Sequence, residues 1–275
     1  PSAAFGAPAH GESEALSMVR CEAYSSTAAP GSGLPGAQPF AVSIAASVMA
    51  IVDFHTHLLT VEVIGFLGGR WDAASGMLEV VAAFPCSALC DDGQHVELDP
   101  VAEVNVRAHI NHLGLRVVGW YHSHPIFEPT PSLRDIENQT NYQWLMRDVV
   151  SGVQPFVGLI VAPFDNKTVS SDDVSAITCF HVAGRGVPMQ CVYDVRTSLA
   201  ALAPQTLARL MCSLVWVYRG HSERTDFSVR WRRATRRDKL RASVKHRLTP
   251  ACGSARTAGE LMALVEAYMM QQQQS

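Results

Sequence analysis

The chain has 275 residues, 48% of them hydrophobic, with a formal net charge of -3 and a sequence pI near 6.4. That length and apolar content suffice for a buried core in one large domain or two small ones, and the near-neutral balance excludes a global field that would demand nucleic acid or an acidic membrane as partner. The longest apolar run, FAVSIAASVMAIV at residues 40–52, has 13 residues, short of the roughly 18 to 20 that a bilayer-spanning helix needs. No membrane partner is expected. Seven scattered cysteines, at 21, 86, 90, 179, 191, 212 and 252, with no signal peptide, read as reduced thiols of a soluble intracellular protein, nuclear or cytoplasmic, and no disulfides are expected.

Residues 1–38 are rich in Ala, Gly, Ser and Pro and read as a disordered tail, because they offer too little apolar surface to offset the ordering entropy. From Pro39 the pattern changes. AVSIAASVMAIVDFHTHLL carries apolar residues at helical spacing after Ser43, a plausible cap, and is expected as the first helix. VEVIGFLGG (61–69) and MLEVVAAFP (77–85) read as paired strands with RWDAASG as the turn between them. A helix is expected over 100–114, stopped by Gly114, followed by an apolar strand, LRVVGWYHSHP. A proline-rich loop leads to a third helix in PSLRDIENQTNYQWLMRDVV. Further strands follow in QPFVGLIVAP, ITCFHVAG and VPMQCVYDV, and the last 80 residues are mostly helical by pattern. The order implies an α/β (α+β) protein with a mixed sheet covered by helices.

WYHSHP holds the main chemical signal. In an extended strand, side chains two apart share a face, so His122 and His124 point the same way, with Val118 and Trp120. Two converging imidazoles suit zinc, whose catalytic sites use three N or O ligands and leave the fourth position to water. Pro125 ends the strand, and Asp135, in the first turn of the helix that restarts at Ser132, is the candidate third ligand. The ordinary reading of SLRD is a helix cap, with Ser132 capping and Asp135 favoured by the helix dipole. The full pattern, H-x-H-x7-S-x2-D, is more specific than any one of its parts.

This pattern resembles that of the JAMM or MPN+ zinc isopeptidases, whose motif is a distant glutamate followed by H-x-H-P, a serine and an aspartate at this spacing. VEVIGFLGG supplies the glutamate as Glu62, in a strand. DFHTHLLTVEVIGFLGGRWD, AFPCSAL and VVGWYHSHP…PSLRDIENQ carry the likeness, which spans roughly residues 40–270. The resemblance implies one Zn2+ held by His122, His124 and Asp135, with Glu62 as general base and then general acid and Ser132 helping to hold the oxyanion. It implies an MPN/JAB1 fold: a central, mostly antiparallel β-sheet flanked by helices, cytidine-deaminase-like. Residues 39–195 would form the catalytic domain and 196–275 a helical C-terminal extension packed on it. The implied reaction is hydrolysis of an isopeptide bond between ubiquitin and a lysine side chain, on ubiquitin or a ubiquitinated protein, and a second MPN-fold subunit stays open as a partner. Two alternatives stay open: a non-catalytic MPN scaffold for complex assembly, which would lack a ligand or the glutamate, and a small-substrate metalloprotease of the same fold.

Other histidines and cysteines read as structural. His55 and His57 are about 200° apart at a helix end and should not chelate together. His109 and His112 could share a helical face but lack a third ligand at suitable spacing. PCSALC with HVE (95–97) inverts the order of the zinc deaminase signature and has the wrong cysteine spacing, so Cys86 and Cys90 read as buried small hydrophobes or loop thiols. Ser123, between the two histidines, faces away from them. Residues 230–247, RWRRATRRDKLRASVKHR, hold nine Lys or Arg against one Asp. Leu240, Val244 and Leu248 make this a helix with one apolar stripe and a solvated basic face, while the charge from Arg230 to Arg247 leaves a chromatin or nucleic-acid contact open.

Overall fold

The computed structural model describes residues 17–86, 100–165 and 173–272, and the backbone of 88–89 and 97–98. In chain order the elements are β1 (Glu22–Ala23), β2 (Ala41–Ala45), α1 (Ala46–Thr56), β3 (Ile64–Asp72), β4 (Met77–Cys86), β5 (Ala88–Leu89), β6 (Glu97–Leu98), α2 (Pro100–His112), β7 (Arg116–Ser123), α3 (Leu133–Leu145), β8 (Val157–Ala162), β9 (Ala176–Ala183), β10 (Val187–Gln190), β11 (Asp194–Arg196), α4 (Pro204–Tyr218), β12 (Arg230–Trp231), β13 (Ala234–Thr235), α5 (Arg236–Cys252) and α6 (Ala255–Gln271). Nine strands form one mixed sheet in the order β1, β10, β9, β8, β7, β3, β4, β2, β11. Its longest pairings, β3 with β4 and β3 with β7, are antiparallel, while β7 with β8 and β2 with β4 are parallel.

The core lies in layers about α1, every residue of which is buried. A helix apolar on all sides belongs inside. One side, through Val48, Met49 and Val52, packs on sheet residues Ile44, Leu67, Val80, Val118 and Leu159. The other side, through Ile51 and Phe54, meets α4, α5 and α6 at Leu207, Met211, Leu240, Val244, Leu248, Met262 and Val265. The opposite face of the sheet, with Phe66, Val117, Trp120 and Ile160, packs against Ile110 of α2 and Ile136 of α3. Buried polar groups fasten α1 to its neighbours. His55 bonds the hydroxyls of Tyr121 and Tyr218, each at 2.8 Å, and Ser243 Oγ donates to Asp53 Oδ2.

The structure differs from the sequence expectations in several places. The first helix does not begin after Ser43: that residue lies in β2, paired with Glu79, and the helix starts at Ala46 without a side-chain cap. A strand buried on both faces lacks alternation, so periodicity cannot separate it from a buried helix. Residues 17–38, assigned by composition to a disordered tail, join the fold from Ser17 onward. Glu22–Ala23 pair with Met189–Gln190, and Gln38 is buried, its Nε2 donating to the carbonyls of Phe40 and Val192. Backbone pairing holds this segment, and composition does not register it. The third helix, α3, ends at Leu145 instead of running to Val150. The basic stretch opens as a β12–β13 hairpin before becoming helical at Arg236.

In β7, the pairing passes from Leu67 with Gly119 to Gly68 with Val117 and skips Val118. This bulge turns Val118 toward α1 while Trp120 faces α3, so the expectation that these two share a face fails. Gly119 beside it lets β8 approach: a Cβ added there would lie 2.5 Å from the Val157 carbonyl oxygen. Gly119→Ala is therefore expected to destabilise the protein by about 1 to 3 kcal/mol in urea unfolding. A midpoint equal to that of the unsubstituted chain would contradict this packing.

Candidate metal centre

β7 runs through the middle of the sheet and ends at Ser123, and the His124 N–H still donates to the Val161 carbonyl at 2.9 Å. Both imidazoles are buried at this strand end, with their Nε2 atoms 3.1 Å apart. The chain then turns through Pro125 and re-enters as α3, whose N-cap is Ser132. A capping box forms there: Asp135 N donates to Ser132 Oγ at 3.2 Å, and the Ser132 N–H and hydroxyl both donate to Asp135 Oδ2 at 2.7 Å. This box aims the other carboxylate oxygen at His122, with Oδ1 3.3 Å from its Nε2, while the capped Oδ2 lies 3.9 Å from His124 Nε2. One geometry thus caps α3 and brings the Asp135 carboxylate beside both imidazoles.

Among the described residues, His122, His124 and Asp135 form the one group of three ligand-type side chains able to share an ion, their ligand atoms all within 4.8 Å of one another. The donor set fits zinc. His124 Nδ1 donates to the Glu128 carbonyl at 2.8 Å, which leaves Nε2 as the ring's lone-pair nitrogen facing the cluster. Burial and the adjacent His122 pull His124 down to about 4, so the ring is neutral. Burial alone would raise Asp135, but the charge and hydrogen bond of His122, then His124 and Ser132, hold it well below the usual carboxylate range. For His122, burial is outweighed by Asp135, and the ring is held above its ordinary value.

Glu62 does not lie in a strand: it precedes β3 by two residues. The strand end nevertheless holds it, because Ser123 N–H donates to the Val63 carbonyl at 3.0 Å and Val63 N–H donates to Ser123 Oγ at 2.9 Å. Ser123 thereby anchors the glutamate's neighbour from the side of β7 away from the histidines. Glu62 Oε1 sits 4.0 Å from His124 Nε2, and its side chain is 20% exposed, within reach of a bound substrate. Burial raises its carboxyl to about 7, with His122 opposing and Asp135 reinforcing.

Two supports were not anticipated from the sequence. The His122 ring stacks on Trp120 at 4.7 Å between centroids, and Trp120 Nε1 donates to Gln139 Oε1 at 2.7 Å. Gln139 Nε2 in turn donates to Gln143 Oε1 and to the Phe156 carbonyl. Asp135, Gln139 and Gln143 follow one another at i, i+4 and i+8, a buried polar stripe on α3 that the sequence displays.

The remaining readings resolve separately. His55 and His57 take different partners, His57 Nδ1 donating to the Asp53 carbonyl at 2.7 Å. His109 and His112 are exposed on α2. Cys86 is a buried free thiol; Cys90 and the HVE run fall at or beside residues outside those described. In the basic stretch, Leu240, Val244 and Leu248 are buried as expected, but several cations serve the fold. Lys239 is buried and donates to the Asp173 carbonyl, Arg247 donates to that of Ser175, Arg232 to that of Asp165, and Arg241 pairs with Glu266. No helix among the described residues is long and apolar enough to cross a membrane.

Residues 40–147 match the protein family described as JAB1/Mov34/MPN/PAD-1 ubiquitin protease. A histone deubiquitinase MYSM1 from Branchiostoma floridae is 38% identical over 184 residues, covering 66% of this chain and 22% of that protein. The deubiquitinase MYSM1 of Mus musculus is 41% identical over 146 residues, 53% of this chain and 17% of that protein. An MPN domain-containing protein of Danio rerio is 35% identical over 219 residues, 75% of this chain and 46% of that protein. The chain thus spans less than half the length of each of these relatives.

The capping box makes a separable prediction. Ser132→Ala removes both the cap acceptor and the hydroxyl donor to Asp135, and is expected to lower the unfolding free energy by about 1 kcal/mol in urea titrations. An unchanged midpoint would show that the box contributes nothing.

Proposed function

This chain carries a domain of the JAB1/Mov34/MPN/PAD-1 ubiquitin protease family, and we propose that the domain is a zinc-dependent isopeptidase that removes ubiquitin from lysine side chains. The reading is carried by one observation: His122, His124 and Asp135 converge at the end of β7 with a partly exposed carboxylate, Glu62, beside them. His122 and His124 through Nε2, and Asp135 through its carboxylate, would hold the metal. Zinc so held supplies Lewis-acid activation of water, which brings a nucleophile into reach near neutral pH.

The chain's own groups do the rest. Glu62 accepts the proton of the attacking water on its carboxylate and delivers it to the departing lysine amine, so one group serves as base and then as acid. Ser132 holds Asp135 in place through its amide, and its hydroxyl, once turned from Asp135, donates to the developing oxyanion. Loss of one such donor typically lowers turnover by about 10² to 10³. The substrate is a ubiquitinated protein, with a histone suggested by the relatives' names. A contact with nucleosomal DNA draws on the exposed Arg230, Arg233 and Lys245, while Arg232, Lys239, Arg241 and Arg247 bond within the protein. A nuclear or cytoplasmic location fits this substrate. A scaffold that had lost its metal would lack a ligand or the glutamate, and His122, His124, Asp135 and Glu62 are all present.

The test is metal content together with cleavage of a ubiquitin–lysine isopeptide by the unsubstituted chain, His122→Ala and Glu62→Gln. The histidine variant should lose zinc. The glutamine variant should keep zinc and lose turnover by about 10² or more. Cleavage retained in both variants would refute the assignment.

A further inference from the structure

The N-terminal segment reaches the candidate metal centre from outside the domain that carries it. Ser17, Met18 and Val19 lie antiparallel to Pro131, Ser132 and Leu133, with Met18 opposite Ser132. Two backbone hydrogen bonds flank that pair. Val19 N–H donates to the Pro131 carbonyl at 2.8 Å, and Leu133 N–H donates to the Ser17 carbonyl at 3.1 Å. A few residues further on, the same segment is fixed to the edge of the sheet, where Glu22–Ala23 pair with β10. Val19 and Cys21 pack against the core between sheet and α3, and Tyr24 Oη lies 3.3 Å from His181 Nδ1. The result is a short strap anchored on the sheet at one end and on the start of α3 at the other.

What the strap holds is the residue that orients Asp135. The first N–H groups of a helix have no partner within it. In α3, that of Asp135 goes to Ser132 Oγ and that of Leu133 goes out to the strap. Ser132 is therefore clamped on both sides by bonds to Ser17 and Val19, while its own N–H and Oγ fix Asp135 Oδ2. A drift of the Ser132 backbone would carry the Asp135 carboxylate away from His122. We propose that Ser17–Val19 is a positioning segment for the metal centre, acting through Ser132 on Asp135. This inference rests on the metal-centre reading above and adds a part of the chain that lies before the family-matched residues 40–147.

One substitution isolates the contact. Leu133 is the first residue of α3 and is 42% exposed. Proline is well tolerated at that helical position, and the preceding residue, Ser132, already has the extended backbone that proline requires, at φ -80 and ψ 168. Leu133→Pro thus keeps the helix and removes only the N–H that binds Ser17. Val19→Pro removes the other bond from the strap side, and Leu133→Ala and Val19→Ala retain both N–H groups as controls. Zinc affinity of the full chain is measured by competition with a chromophoric chelator, and thermal unfolding is followed on the metal-free protein.

Each proline variant should bind zinc roughly tenfold or more weakly, the size usual for groups that orient a metal ligand. Metal-free unfolding should be little changed, and both alanine variants should bind like the unsubstituted chain. Zinc affinity equal to that of the unsubstituted chain in the proline variants would overturn the strap's role, and so would a loss shared by the alanine variants. An unsubstituted chain that binds no zinc would instead strike the metal-centre reading itself.

Discussion

The Asp135 carboxylate has two oxygens with separate tasks: Oδ2 accepts from the amide and hydroxyl of Ser132, and Oδ1 faces His122 Nε2. A carboxylate buried beside two imidazoles is costly unless its charge and lone pairs are matched, and the cap matches one side of it. Helix geometry supplies this at little expense, because the third helical residue of a capping box always returns to the N-cap. The site therefore depends on where α3 begins. Pro131 and the preceding loop set that start, and the N-terminal segment holds it from outside.

The histidines have a different origin of rigidity. They end a central strand paired on one side with β3 and on the other with β8, so their backbone cannot shift without disturbing the sheet. The bulge at Val118 decides which side chains accompany them, sending Trp120 to the α3 face to lie flat against His122. Gln139 holds Trp120 and belongs to the same helix as Asp135. The strand-borne histidines and the helix-borne aspartate are in this way tied by a side-chain route as well as through their own contacts. On the other face of the sheet, α1 fills the interior and bonds β7 through His55 and Tyr121, linking the helices α4–α6 to the strand that carries the histidines.

Much of this was legible in the sequence, for physical reasons that differ by element. The paired strands around residues 61–86 and the strand into His122 are short apolar runs bounded by Gly and Pro, which favours strand over helix, and the H-x-H-x7-S-x2-D spacing brings its residues together once a strand and a helix are assumed. The start of α1 was not legible, since β2 and α1 follow one another without a break in one largely apolar stretch and nothing in its periodicity marks Ala45. The position of Glu62 outside β3 was equally hidden, because it follows from Ser123 bonding Val63 with both its amide and its hydroxyl. The fold of residues 17–38 could not be read from composition, as their attachment is mainly main-chain pairing. The stripe Asp135, Gln139, Gln143 could have been read: polar residues at i+4 steps on a helix that must bury a face point to a built network.

The central claim is that three side chains of this chain share one ion. Anomalous diffraction at the zinc absorption edge, on crystals of the full chain grown with equimolar zinc, tests it without reference to activity. The account predicts a single strong peak at coordination distance, about 2.0 to 2.2 Å, from His122 Nε2, His124 Nε2 and an Asp135 carboxylate oxygen, with Glu62 near it but unbound. No peak among these residues, or zinc bound at other ligands while these three stay apart, would contradict it.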